Sequence, residues 1–123
     1  MGRIEKRLPK KVMDVLENCG WRLNSIEKQD GEYWAEIENW SPAGEDLVET
    51  IWYDGTANGF IDAVDCWCAD FDVDEHVEFW IDKRGENGVH GTVRELVEDA
   101  EAIEQMFVEL SCELDKLWKI KKG

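Results

Sequence analysis

A single apolar stripe near the C-terminus sets the scale of anything this chain can fold into. Val93, Leu96, Ala100, Ile103, Phe107, Leu110, Leu114 and Leu117 recur at spacings of three and four, which is the period of one helix face. Thr92-Val-Arg-Glu95 ahead of the stripe is a capping box, in which the Thr92 and Glu95 side chains each accept from the other residue's backbone N–H. One helix over 92–118 is therefore predicted, of about 26 residues and roughly 39 Å at 1.5 Å per residue. A helix this long needs other elements of the chain to lie across, or a second copy of itself.

The upstream residues supply those elements. Val12, Val15, Leu16 and Cys19 fall at helical spacing between Pro9 and Gly20, predicting a short helix over 9–19. Trp21 to Lys28 follows as a strand, and Asp30-Gly31 is a hairpin turn signal. Tyr33, Ala35 and Ile37 alternate with Trp34, Glu36 and Glu38, the pattern of a half-buried strand. After a loop at Ser41–Asp46, a third strand puts Leu47, Glu49, Ile51 and Tyr53 on one face and Val48, Thr50 and Trp52 on the other. Short connections between consecutive strands imply an antiparallel meander.

From Ala57 the period changes to that of a helix, through Phe60, Ile61, Val64, Trp67, Cys68 and Phe71. Val77, Phe79 and Ile81 then alternate with Glu78 and Trp80, predicting a fourth strand, and the glycines of Lys83–Gly91 predict a mobile loop. The expected fold is α+β: a short N-terminal helix, an antiparallel meander of three to four strands with an inserted helix, and a long C-terminal helix. All of it belongs to one domain, 1–123.

Charge is what most limits function. From Asp30 to Asp82 there are 16 acidic residues, no Lys or Arg, and five of the seven tryptophans. Disorder requires low hydrophobicity as well as charge, so this stretch is a folded unit with a carboxylate-covered exterior. Net charge is −15, divided as +4 over 1–12, −23 over 13–115 and +4 over 116–122. Such a body repels nucleic acid and attracts basic surfaces. Three roles are open to the basic ends, 1–12 and 116–123: flexible arms, a clasp on the acidic body, or a contact with nucleic acid while the body touches protein. No apolar run is long enough for a membrane helix, and no apolar segment follows the basic N-terminus as a secretory signal would require. The expected location is the cytoplasm.

Catalytic signatures are lacking. Cys66-Trp-Cys68 is too closely spaced for a zinc site, and Cys19 and Cys112 stand alone, so the cysteines are expected to be structural. Counted from Asp70, an EF-hand loop needs Gly at its sixth place and Glu at its twelfth; the chain has Glu75 and Ile81. Asp70, Asp72, Asp74 and Glu75 are accordingly a charged connection rather than a metal site. His76 and His90, the two histidines, sit in no recognisable triad or HExxH motif. No enzyme, metal or cofactor is expected.

Trp34, Trp40 and Trp80 fall out of phase with the apolar faces of their predicted strands. On an open sheet face they would stand beside Glu36, Glu38 and Glu78, as aromatic anchors rimmed by acids. The segments Glu38–Asp46, Phe71–Ile81 and Arg94–Glu101 resemble small acidic proteins carried by phages and mobile elements of Gram-positive gut bacteria, over about residues 30–115. By association, that resemblance implies an anti-defence role, such as anti-CRISPR or anti-restriction, in the cytoplasm of a host bacterial cell. The expected function is inhibition of a nucleic-acid-handling enzyme through its basic groove, with carboxylates standing in for phosphates. The acidic body would not itself touch DNA. The expected contact residues are Glu36, Glu38, Asp62, Asp65, Asp70, Asp72, Asp74, Glu75, Glu98, Glu101 and Glu104, with Trp34, Trp40 and Trp80. The alternative is an interaction module that forms a homodimer through 92–118.

Overall fold

Helix α1 (Lys10–Asn18) begins after Pro9, whose fixed φ suits a helix start, and buries Val12 and Leu16. It ends in a paired-hydrogen-bond cap, with Gly20 N–H donating to Glu17 O and Trp21 N–H to Leu16 O. Gly20 takes φ +87°, the left-handed conformation that such a cap needs. The chain is described by a computed structural model over residues 8–83 and 90–122, with side chains to 117.

Strands β1 (Arg22–Gln29), β2 (Glu32–Trp40) and β3 (Asp46–Tyr53) form one antiparallel sheet in the order β1-β2-β3. At the first hairpin Asp30 and Gly31 have φ of 55° and 84°. Both are positive, as a two-residue turn matching strand twist demands. Asn24 is an extra residue in β1 between the pairs Leu23↔Ile37 and Ser25↔Glu36. The β2–β3 register sets Trp34 opposite Trp52 and Glu38 opposite Val48. Ala35, Ile37, Ile51 and Tyr53 consequently point inward, onto α1 and the later helices.

Helix α2 (Ala57–Ala69) starts at Thr56, whose hydroxyl accepts from Gly59 N–H, and buries Phe60, Ile61 and Val64. Next comes a departure from expectation. Residues 73–80 are helix α3 (Val73–Trp80), followed by a 3₁₀ turn at Ile81–Lys83, and there is no fourth strand among the described residues. Asp72 decides this locally: its carboxylate accepts from Asp74 and Glu75 N–H, and those two acids occupy the first turn, where the helix dipole favours negative charge. Val73, Val77 and Trp80 then share a helix face, a pattern that period-two alternation from Val77 to Ile81 mimics over so short a run.

Helix α4 (Val93–Lys122) runs 30 residues. Its capping box forms as expected, with 3.1 Å hydrogen bonds from Thr92 N to Glu95 and from Glu95 N to Thr92. Leu96, Ala100, Ile103, Phe107, Leu110 and Leu114 are buried within the same chain, while Val93 and Val108 are exposed. Most of the stripe is thus packed against α1, α2 and α3. The predicted loop Lys83–Gly91 falls mostly outside the described residues, as do residues 1–7 of the basic N-terminal arm and the side chains of the C-terminal one past 117. No helix among the described residues is long and apolar enough to cross a membrane.

Candidate functional site

Among the described residues the helices pack on one side of the sheet, over Ala35, Ile37, Ile51 and Tyr53, and leave Trp40, Val48 and Trp52 on its other side exposed. Along β2 that open side presents Trp34, Glu36, Glu38 and Trp40 in sequence, as period two requires. Trp34 stacks on Trp52 of β3 with ring centroids 4.1 Å apart, and Trp52 is 51% exposed. At the far end Trp40 is 43% exposed, with the Arg22 guanidinium 5.2 Å from its ring centre. Val48 is exposed between them.

The bulge residue Asn24 organises the carboxylates. Its amide donates to Glu36 and to Glu38, each at 2.9 Å, while Arg22 donates to Glu38 at 2.9 Å. The Asn24 hydrogen bond, followed by one shared with Asp46, holds the Glu38 carboxyl below its usual range; the same shared bond raises Asp46. Glu38 therefore holds its negative charge more firmly than Asp46. The outcome is a strip in which two tryptophan sites flank ordered carboxylates.

The remaining expected contact residues lie elsewhere, because the sheet stands between its open face and the helices. Asp62 is exposed on α2, Asp70 ends that helix, Asp72 caps α3, and Asp74 and Glu75 are exposed in its first turn. Glu98, Glu101 and Glu104 line the exposed side of α4. Trp80 is corrected with the fourth strand: it lies on α3, edge-on to His90 at 5.8 Å, and does not join Trp34 and Trp40. Trp52, absent from the expected set, replaces it. The cross-strand register is the signal that would have found it.

Asp65 is half-buried between α2 and α4, where Ser111 donates to it at 2.5 Å. Burial, then a hydrogen bond shared with Asp115, pushes its carboxyl from 3.8 up to about 6. A raised folded value means stability that is complete below pH 3.8 and is lost as pH rises through about 6. Asp65→Asn should match the parent's unfolding free energy near pH 4 and exceed it near pH 7.5 by roughly 1 kcal/mol once solvent screening is allowed for. Thermal melts across that range check it. The neighbouring Cys68 thiol is pushed up to about 12 by burial and by Asp65, so it stays protonated.

A second constellation lies where the β2–β3 connection, α3 and the start of α4 converge. Asp99 accepts from Ser41 Oγ at 2.6 Å and from Ala43 N at 3.0 Å, and His90 Nε2 lies 2.7 Å from its Oδ2. Glu45 Oε1 is 3.0 Å from His76 Nε2 and 3.7 Å from His90 Nε2. His90, Asp99 and Ser41 are each no more than 5% exposed. His90 has φ 57°, left-handed for a non-glycine residue, a strain that surrounding structure must hold in place. Ser41 bonds Asp99 and not the imidazole, so the trio lacks the order that activates a serine nucleophile. These residues span 58 positions with no local motif, which is why the sequence does not announce them.

Comparison of the chain with protein-family models, curated proteins and solved structures gives no match.

Proposed function

We propose that this chain works by binding protein: the open face of its sheet docks on the basic surface of a nucleic-acid-handling enzyme and blocks it. One observation carries the reading, the strip, uncovered among the described residues, in which the Trp34–Trp52 pair and Trp40 flank the ordered carboxylates Glu36 and Glu38. Exposed tryptophans supply anchoring area, and pre-ordered acids meet a lysine- or arginine-lined groove without first having to be arranged. The −23 charge of residues 13–115 steers a basic partner from a distance and keeps DNA away from the body. In this respect the strip stands in for part of a phosphate backbone. The acids of α2, α3 and α4 contribute to that field more than to the contact.

The resemblance to phage and mobile-element proteins makes a host restriction enzyme or CRISPR effector the first target to assay, inside the bacterial cytoplasm. The test is cleavage of DNA by a panel of such enzymes with and without the protein. Inhibition is expected, relieved by about 100-fold or more in a folded Glu36→Lys/Glu38→Lys/Asp46→Lys triple variant, since like charges at an interface cost several kcal/mol. Undiminished inhibition by that variant would sink the open-face account.

A further inference from the structure

The buried cluster beneath the β2–β3 connection brings two carboxylates and an imidazole nitrogen together. The side chains of Glu45 and Asp99 are 11% and 3% exposed, and among the described residues their ion pairs run only to His76 and His90. Buried carboxylates persist only where hydrogen bonds or positive charge compensate them, and a bound cation is one way to supply that charge. His90 Nε2 stands between the two acids, 2.7 Å from Asp99 Oδ2 and 3.7 Å from Glu45 Oε1. A cation among the three atoms serves all of them at once.

The dimensions suit a small transition metal. With ligands at about 2.0–2.1 Å, the donor atoms of a tetrahedral site stand roughly 3.3 Å apart. The observed separations bracket that value, and the ligand atoms of Glu45, His90 and Asp99 all lie within 4.8 Å of one another. Outer partners are already placed: Ser41 and Ala43 hold Asp99, and His76 holds Glu45. Such second contacts orient metal ligands and are a regular part of metal sites. A cleft of ≈ 440 Å³, lined by His90, Asp99, Glu95 and Glu98 among others, provides an entry path.

We propose that Glu45 Oε1, His90 Nε2 and Asp99 Oδ2 bind one divalent transition cation, Zn²⁺ being the reference ion, with a water completing the coordination. The mixed imidazole and carboxylate set favours Zn²⁺ over Mg²⁺ or Ca²⁺, which take oxygen ligands. Binding there pins the β2–β3 connection to α4 and stabilises the fold. This site is separate from the open sheet face, and neither depends on the other.

The experiment is calorimetric titration of Zn²⁺ into metal-stripped full-length protein near pH 7.5, with melting curves and the visible spectrum of the Co²⁺ form. Expected are one ion per chain, a Tm that rises until one equivalent is bound, and the intense Co²⁺ bands of a four-coordinate centre. His90→Gln should weaken binding about 100-fold or more and His76→Ala about tenfold, while Glu109→Gln, at an exposed position, should leave it unchanged. Absence of binding at millimolar Zn²⁺ would overturn the site. So would several weak equivalents that persist in His90→Gln, because exposed carboxylates would then be holding the ions. Should His90→Gln fail to fold, the spectrum of the parent protein decides: weak six-coordinate Co²⁺ bands contradict the proposal.

Discussion

Replacing Phe60 by alanine should lower the unfolding free energy by about 4 kcal/mol and the Tm by roughly 15 °C for a domain of this size. Phe60 is fully buried where α2 crosses β3, and its ring meets Tyr53 edge-on with centroids 5.3 Å apart. Removing it deletes apolar area and leaves a cavity that sheet and helix, both hydrogen-bonded internally, are poorly able to close. Phe79→Ala is the matched comparison. Phe79 lies on α3 and is 58% exposed, so its loss should change stability by no more than about 0.5 kcal/mol. Had residues 77–81 been a strand, Phe79 would have pointed inward with Val77 and Ile81, and both variants would unfold early. Denaturant titration of the two proteins distinguishes these outcomes.

Trp52→Ala should weaken the partner complex by 2–3 kcal/mol, about 30- to 150-fold, while leaving the fold nearly unchanged. Half of Trp52 faces solvent, and its other half covers Trp34. Truncation therefore removes a binding anchor and uncovers a second ring, with little effect on the interior. The loss should be independent of salt, whereas the loss from Glu36→Lys/Glu38→Lys/Asp46→Lys should diminish as salt rises. Affinity measured for both variants at two ionic strengths checks the distinction.

Local chemistry was legible in this sequence and tertiary convergence was not. Asp30-Gly31 specifies a hairpin because two successive positive φ values suit few other pairs. Thr92 and Glu95 mark a helix start because each satisfies the other's backbone donor. The misassigned element was ambiguous at the level of pattern: five residues from Val77 to Ile81 fit both periods, and the Asp72 cap that resolves them reads equally as part of an acidic connection. Trp80 shares that ambiguity: as part of α3 it packs beside His90 and does not join the sheet. The strip of Trp34, Glu36, Glu38 and Trp40 was readable from alternation alone, but Trp52 and Asn24 enter it through register and a bulge. Ser41, Glu45, His76, His90 and Asp99 meet only because a loop and two helices pack together, and no spacing rule encodes that meeting.

The most direct test of the open-face account is a pull-down from a host lysate containing restriction and CRISPR enzymes, eluted with a rising salt gradient. Raising ionic strength from about 0.1 to 1 M shortens the screening length from roughly 10 to 3 Å. The account predicts capture of a nucleic-acid-processing enzyme, released at moderate salt and not captured by the Glu36→Lys/Glu38→Lys/Asp46→Lys variant. A partner that remains bound at high salt, or one captured equally well by the charge-reversed strip, would contradict it.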